Sequence, residues 1–170
     1  PNGPEIKSFE KEFSDYLKIK SSLALSSGTA ALHLAIRVLN VKKNVYVFCS
    51  DLTFVASANV IKYVGATPIF IDSNNYDLNI CPESLELAFK KFSPKAVIVT
   101  NIYGQSANYV PIIEICKKYE TPIVEDAAES LGAKYNSKNS GTFGTISAFS
   151  FNGNKIITTS GGGMLSSNNE

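Results

Sequence analysis

Apolar and polar residues follow two different spacings along the chain. Between residues 5 and 17, apolar side chains such as Ile6, Phe9 and Phe13 recur every three or four positions, while lysines and glutamates occupy positions between them. This period predicts an amphipathic helix. After this helix, short apolar runs alternate with longer segments of helical spacing, as a parallel sheet with covering helices requires.

The alternating part of the chain predicts seven strands and four further helices. The strands are expected at residues 23–25, 45–48, 67–71, 96–100, 122–125, 146–151 and 163–166, and the helices at residues 29–39, 55–64, 82–92 and 111–119. Pro82 and Pro111 open the last two helices, where a proline suits the first turn. The strand runs show little polar alternation, which favours burial on both faces. We therefore predict an α/β fold of three layers, α/β/α, around a mostly parallel seven-stranded sheet.

The composition favours one compact domain. The chain has 170 residues, of which 44% are hydrophobic and 18% charged, so it can bury a core and is neither a disordered sequence nor a small disulfide scaffold. No long linker or low-complexity tract divides it, and the Asn- and Ser-rich residues 136–140 are interpreted as a surface turn. Residues 1–170 are therefore predicted to form one domain.

Charge and cysteine content narrow the choice of partners and compartment. The formal net charge is +1, which gives no field that would attract nucleic acid or a membrane surface, so a small-molecule partner is favoured. Cys49, Cys81 and Cys116 have neither metal-site spacing nor the even number of a disulfide framework, which favours a reducing cytoplasm. The sequence has no apolar run approaching about 20 residues and no opening of signal-peptide character, so neither export nor membrane insertion is expected.

Polar residues at the ends of predicted strands are the main functional candidates, because ligands of open parallel sheets bind beyond the carboxyl ends of the strands. The run Ser26-Ser27-Gly28-Thr29 leads from a strand into an apolar helix, whose free amides and dipole suit a phosphate. An ordinary helix cap by Ser26 or Ser27 explains the same residues. His33 lies on this helix and is assigned no catalytic role.

Three further candidates lie at such strand ends. Asp126 follows a buried strand, where a carboxylate can bind a protonated ring nitrogen, although this segment alone favours a helix cap. Lys155 follows a strand and a Gly/Asn turn, where shelter from water would ease imine formation with an aldehyde, although most lysines are solvated surface residues. Phe54 could cover a flat ring, although alone it is better explained as a core residue.

Together these candidates match the needs of one cofactor. A phosphate cradle, a carboxylate for a ring nitrogen, an aromatic cover and an imine-forming lysine are the supports that pyridoxal 5′-phosphate (PLP) requires. A dinucleotide site of the Rossmann type agrees less well, because no G-x-G-x-x-G follows the first strand and Gly161-Gly162-Gly163 precedes a strand. The sequence therefore predicts a PLP site.

Three sequence runs, taken in order, carry a resemblance to a known enzyme family. They are Ser26-Ser27-Gly28-Thr29-Ala30-Ala31-Leu32, then Glu125-Asp126-Ala127-Ala128-Glu129, and then Ser150-Phe151-Asn152-Gly153-Asn154-Lys155, followed by a glycine-rich stretch that ends at Met164. With these runs the chain resembles the fold-type I PLP enzymes and, within them, the DegT/DnrJ/EryC1/StrS family of sugar aminotransferases. The resemblance covers nearly the whole chain and implies the large, PLP-binding domain of that fold.

The resemblance implies a role for individual residues. Lys155 would hold the cofactor as an internal aldimine and act in catalysis, and Asp126 would bind the pyridine nitrogen. Glu129 would lie near the ring hydroxyl and the substrate. Further cofactor contacts would come from Phe54 at the ring face and, at the phosphate, from Ser150, Gly28, Thr29 and Ala30.

The resemblance also implies a reaction and an assembly. A homodimer would move an amino group from glutamate to a nucleotide-linked keto-sugar of the 4-keto-6-deoxyhexose type. Relatives that dehydrate sugars carry histidine in place of Lys155, so the retained lysine favours amino transfer. Asn101 stands where a histidine is common and Ser160-Gly161 where Gly-Glu is frequent, which we interpret as subgroup variation.

Two other functions stay open at this point. One is a different PLP reaction, such as sugar dehydration. The other is a catalytically silent domain that binds PLP or dimerises, because the family's short N-terminal segment and smaller C-terminal domain are missing from this sequence.

Overall fold

The computed structural model describes residues 3–169 and contains five α-helices and nine strands. The helices are α1 (Pro4–Leu17), α2 (Gly28–Val38), α3 (Ala56–Tyr63), α4 (Pro82–Phe89) and α5 (Tyr109–Lys118). The strands are β1 (Ser21–Leu25), β2 (Tyr46–Ser50), β3 (Thr67–Ile71), β4 (Pro94–Thr100), β5 (Ile123–Asp126), β6 (Lys134–Tyr135), β7 (Lys138–Asn139), β8 (Ile146–Ser150) and β9 (Gly163–Ser167). All five predicted helices and all seven predicted strands are present.

Seven of the strands form one sheet in the order β1-β9-β8-β5-β4-β2-β3. Strand β9 runs antiparallel to both of its neighbours, and the other pairs in the sheet are parallel. The prediction of a mostly parallel seven-stranded sheet is therefore confirmed. Because β1, β2, β4, β5 and β8 all point the same way, their carboxyl ends meet at one edge of the sheet.

Helices cover both faces of the sheet, which makes the predicted three layers. Successive strand residues point to opposite faces, so Cys49 packs with α2 and α3 while its neighbour Phe48 packs with α4 and α5. Helix α1 lies over β8 and β9, where Phe13 contacts Phe149 and Phe151. The central strands β4, β5 and β8 are buried on both faces, as their continuous apolar sequences predict.

Two local predictions need correction. Helix α5 begins at Tyr109, so Pro111 is its third residue; it still lies in the first turn, where backbone N–H groups have no helical acceptor. Residues 136–140 are only partly a surface turn. Asn136 and Ser137 form the turn of the β6–β7 hairpin in left-handed conformation (φ 48° and 64°), but Ser140 is wholly buried.

None of the helices described within residues 3–169 is both long and apolar enough to cross a lipid bilayer.

Candidate active site

A cleft of about 360 Å³ lies at the carboxyl edge of the sheet. Its walls come from the segments that follow β1, β2, β5 and β8, together with the ends of β4 and β8. Nearly all the residues that the sequence analysis singled out line it, namely Gly28, Thr29, Phe54, Asp126, Glu129, Ser150 and Lys155. Of the predicted site residues, Ala30 is not part of the cleft wall.

At the start of α2, the space between this helix and β8 is too small for a side chain. A Cβ atom added to Gly28 would lie 2.8 Å from Ser150 Cβ, so a glycine is needed for the first turn of α2 to approach β8 this closely. This approach brings the first turn of the helix and the Ser150 hydroxyl to the same side of the cleft. The positive end of the helix dipole faces this side, which favours an anion there.

The helix-cap interpretation of this segment is correct for one residue. Ser27 Oγ accepts a hydrogen bond from the Ala30 N–H at 3.0 Å and so caps α2. This bond corrects the prediction for Ala30, because its amide is already used within the helix cap. The cap and the anion cradle are compatible, since Gly28 and Thr29 line the cleft while Ser27 secures the turn.

Asp126 ends β5 and is buried, with 3% of its surface exposed. Its Oδ2 accepts a hydrogen bond from Ser57 Oγ at 2.6 Å, and its Oδ1 accepts one from the Ala128 N–H at 3.2 Å. Burial raises the pKa of Asp126 above its ordinary value, while these hydrogen bonds and the charge of Lys155 act in the opposite direction. In the described part of the chain no helix begins after Asp126, so the helix-cap explanation of this residue is wrong.

Lys155 is sheltered from water, as the prediction requires. Only 12% of its side chain is exposed, and its Nζ lies 3.1 Å from Glu129 Oε1. The Nζ atom also lies 5.8 Å from the centre of the Phe54 ring. The loop that carries Lys155 is closed at its base by bonds from Phe151 N–H to Gly162 O and from Thr159 N–H to Phe151 O. Lysine and carboxylate thus line the same cleft although they are far apart in sequence.

Glu129 connects Lys155 to a turn at the cleft rim. Its Oε2 accepts a hydrogen bond from the Tyr103 N–H at 2.9 Å, while its Oε1 accepts from Lys155. Tyr103 has a left-handed backbone (φ 50°) and is 78% exposed. The Glu129 carboxylate is therefore held from two sides and fixes the direction of the lysine.

Phe54 lines the cleft, whereas His33 does not. Phe54 is 62% exposed, so the interpretation as a core residue is wrong, and its ring is free to cover a flat ligand. His33 lies outside the cleft and packs edge-on against Tyr63, with 5.8 Å between ring centres. This position gives His33 no contact with the candidate chemistry.

Glu125 has an unpredicted structural role beneath the cleft. It is wholly buried, and its carboxylate accepts hydrogen bonds from the Gly141, Phe143 and Gly144 N–H groups at 2.6, 2.8 and 3.1 Å and from Asn101 Nδ2 at 2.9 Å. Burial raises the pKa of Glu125, and these hydrogen bonds oppose that shift. The carboxylate thereby fixes the loop that enters β8, the strand that carries Ser150. Glu125 and Asp126 are adjacent at the end of a strand, so their side chains point to opposite faces of the sheet. This pattern is the sequence signal that could have indicated two different roles.

We expect the Glu125→Gln variant to lose about 3 kcal/mol of unfolding free energy, because an amide NH₂ would face backbone N–H donors that then lack an acceptor. Urea unfolding of the full-length protein measures this loss. Glu114→Gln on the exposed side of α5 is the matched control and should unfold like the unaltered protein. An unaltered midpoint for Glu125→Gln would contradict the assigned role.

Two hydroxyl residues of the site were also missed. Thr100, the last residue of β4, lines the cleft, and Ser57 in α3 lies behind Asp126. The strand-end rule applied to β4 could have found Thr100. Ser57 gives no local signal, because it is 69 positions from Asp126 in sequence and only the tertiary fold brings it to the carboxylate.

Comparisons with known proteins agree with this geometry. The chain is 53% identical over 175 residues to EpsN of Bacillus subtilis, a protein provisionally named as a pyridoxal phosphate-dependent aminotransferase; the match covers 100% of this chain and 45% of EpsN. It is 40% identical over 168 residues to the GDP-perosamine synthase of Caulobacter vibrioides, covering 99% of this chain and 45% of that enzyme.

A solved structure has the same fold. The PLP form of Spr1654 from Streptococcus pneumoniae, provisionally named as a sugar aminotransferase, superposes with a TM-score of 0.93 at 29% identity, covering 99% of this chain and 47% of that protein. The chain thus spans about half the length of the relatives it matches. The model of the DegT/DnrJ/EryC1/StrS aminotransferase family matches residues 1–170. With the whole chain matched and the cleft built from the same three runs, this protein belongs to the DegT/DnrJ/EryC1/StrS aminotransferase family.

Proposed function

We propose that the chain is the PLP-binding part of an aminotransferase that moves an amino group from glutamate to a nucleotide-linked keto-sugar of the 4-keto-6-deoxyhexose type. One observation carries the proposal. A sheltered lysine and a buried carboxylate line one cleft, together with a helix start and a serine hydroxyl that can bind a phosphate. These are the groups that PLP needs, in a cleft whose size lies in the range of cofactor sites.

The residues of the cleft fit the cofactor chemically. Gly28 leaves space beside Ser150 for backbone alone, so Gly28, Thr29 and Ser150 offer donors to a phosphate without a side chain in the way. Phe54 is exposed enough to lie on a ring face. Asp126 supplies a carboxylate for the ring nitrogen, and Lys155 supplies the amine that an aldehyde requires. When bound, PLP supplies an electron sink for the charge that develops at the amino donor's α-carbon.

In the proposed reaction Lys155 moves the proton. With PLP bound, its Nζ would accept the proton from the α-carbon of the amino donor and pass it on as a general acid, which is the role of a positioned amine. Glu129 holds this Nζ at 3.1 Å and so limits the directions in which the lysine can swing. Burial excludes water from the lysine, which strengthens its interactions with charged groups.

Asp126 has a complementary, electrostatic role in the proposal. Its carboxylate keeps the proton on the ring nitrogen, which lowers the barrier by stabilising the charge that spreads into the ring. Burial makes this interaction stronger than the same pair would be in water. Ser150 and the α2 start would hold the phosphate of a cofactor in the cleft that Lys155 and Asp126 also line.

The sugar acceptor and the assembly belong to the same proposal. A GDP-perosamine synthase among the relatives supports a nucleotide-linked sugar as acceptor. Apolar side chains close to the cleft rim, including Ile156 at 64% exposure, support a homodimer in which a second copy covers them. We further propose that the protein acts in the cytoplasm, and that residues 1–170 represent the large domain of a longer enzyme.

The proposed reaction can be tested one half-reaction at a time. The full-length protein loaded with PLP is mixed with L-glutamate alone, and we expect stoichiometric 2-oxoglutarate with loss of the absorption band of the lysine-bound cofactor. A nucleotide-linked 4-keto-6-deoxyhexose added next should return an aminated sugar. D-Glutamate is the control and should give no product.

Three other outcomes would contradict part or all of the proposed function. A protein that binds PLP but yields no 2-oxoglutarate would contradict the amino donor. A deoxygenated sugar in place of an aminated one would support dehydration instead. A full-length protein that binds no PLP would overturn the proposed function as a whole.

A further inference from the structure

Three hydroxyl groups form a hydrogen-bonded chain behind Asp126. Ser57 Oγ donates to Asp126 Oδ2 at 2.6 Å, Thr53 Oγ1 donates to Ser57 Oγ at 3.2 Å, and Thr53 Oγ1 lies 2.8 Å from Thr100 Oγ1. Ser57 is wholly buried and Thr100 is 4% exposed. Thr53 and Ser57 are neighbours at the start of α3, four residues apart, whereas Thr100 ends β4 and Asp126 ends β5, so the tertiary fold brings Thr100 and Asp126 to this pair.

The carboxylate determines the direction of every hydrogen bond in this chain. A hydroxyl has a single proton. Ser57 gives its proton to Asp126, so it can only accept from Thr53. Thr53 gives its proton to Ser57, so the shared bond with Thr100 must be donated by Thr100. All three protons therefore point toward Asp126 as long as Asp126 is ionised, and the chain ends at Thr100, which lines the cleft.

We propose that Ser57, oriented by Thr53, is a positioning residue that keeps Asp126 ionised and aimed into the cleft. The inference about the cofactor rests on the proposed function. A proton shared between Asp126 and a ring nitrogen moves to the more basic partner. Removal of the Ser57 hydroxyl makes the carboxylate more basic, which draws the proton from the ring nitrogen to Asp126.

Other groups also act on Asp126, and none of them replaces Ser57. Glu129 raises the pKa of Asp126 by its negative charge, and Lys155 lowers it by its positive charge. The buried Tyr109 hydroxyl faces the same region from α5, and its pKa is raised by burial and by the charges of Glu125 and Asp126. The Ala128 N–H contacts the other carboxylate oxygen, Oδ1. Ser57 is thus the side-chain donor to Oδ2, and Thr53 fixes its direction.

The first experiment needs no cofactor. Carbon-13 NMR of labelled aspartate in the cofactor-free, full-length protein follows the titration of Asp126, whose signal is assigned by its loss in Asp126→Asn. We expect Ser57→Ala to raise the titration midpoint by about one to two pH units, since a hydrogen bond to a charged group is worth that much. Thr53→Val should raise the titration midpoint of Asp126 by a smaller amount. Thr53→Ser keeps the hydroxyl and should have the same midpoint as the unaltered protein.

A matched variant separates this effect from a loss of packing. Ser166 is as buried as Ser57 and shares a hydrogen bond with Ser22 at 2.9 Å, away from the cleft. Ser166→Ala should therefore lower stability without moving the Asp126 midpoint. An unaltered midpoint in both Ser57→Ala and Thr53→Val would overturn the inference, as would an equal shift in Ser166→Ala.

The second experiment uses the loaded protein. Nitrogen-15 NMR of labelled PLP reports whether the ring nitrogen carries a proton, and Ser57→Ala should move its signal toward the neutral pyridine. In an Asp126→Asn background the same replacement should move nothing, because Ser57 acts through Asp126. A shift that persists in that background would overturn the inference. A protein that binds no PLP would defeat the proposed function, while the cofactor-free titration would still decide the role of Ser57.

Discussion

Replacement of Lys155 by alanine is expected to abolish the covalent attachment of PLP and to lower the turnover of the full-length protein by about 10⁴-fold or more. The lysine supplies both the amine that captures the aldehyde and the base that moves the proton. The structure offers no substitute at that place, because the cleft residue that contacts Lys155 Nζ is a carboxylate, Glu129, which cannot form an imine. Borohydride reduction followed by peptide mass spectrometry measures the attachment.

Two variants serve as controls for this prediction. Lys155→Arg keeps the positive charge opposite Glu129 but cannot form an imine at neutral pH, so it should fold normally and still lose attachment and turnover. Lys134→Ala removes an exposed lysine of the β6–β7 hairpin and should leave both unaltered. Attachment at another lysine, or normal turnover in Lys155→Ala, would contradict the assignment.

Replacement of Asp126 by asparagine is expected to lower turnover by about 10²- to 10³-fold while covalent attachment of PLP continues. Asparagine fills the same space but carries no charge, so it cannot keep the proton on the ring nitrogen. Burial raises the pKa of Asp126 in the chain without cofactor, whereas a protonated ring nitrogen would lower it once PLP is bound. Any loss of activity at low pH that comes from protonation of Asp126 should therefore be absent from the pH–rate profile of Asp126→Asn.

Asp72 provides the matched control for Asp126. It directly follows β3 as Asp126 ends β5, but it is exposed and lies outside the cleft. Asp72→Asn should therefore retain the turnover and the pH profile of the unaltered protein. Similar losses in both variants, or none in Asp126→Asn, would show that the ring-nitrogen role is wrong.

Local sequence patterns predicted most of the architecture because each element carries its own signal. The runs around β4 and β5 are continuously apolar, which is how strands buried on both faces appear in a sequence. Boundaries were less well determined at α5, where Tyr109 and Val110 extend the helix before Pro111. A proline is tolerated anywhere in the first turn, so it does not mark the first residue of a helix.

The candidate site was partly predictable for a related reason. Residues at or just after strand ends, such as Asp126 and Lys155, could be predicted as site residues because a parallel sheet brings the carboxyl ends of its strands to one edge. The use of the Ala30 amide is local, because Ser27 caps the helix from three residues earlier, and the sequence had left that cap open as an alternative. The exposure of Phe54 could not be predicted, since it depends on what packs against its ring. The burial of Glu125 among backbone amides has the same origin.

The sequence by itself determined the order of strands and helices, the edge of the sheet at which the cleft lies, and the family to which its three runs correspond. Only the tertiary structure decided which polar side chains meet. Thr53 and Ser57 at the start of α3 meet Thr100 at the end of β4 and Asp126 at the end of β5 because these distant segments end at the same edge of the sheet. Periodicity is a property of neighbours along the chain, whereas a hydrogen-bond network depends on distances across it, and those are fixed only when the helices close over the sheet.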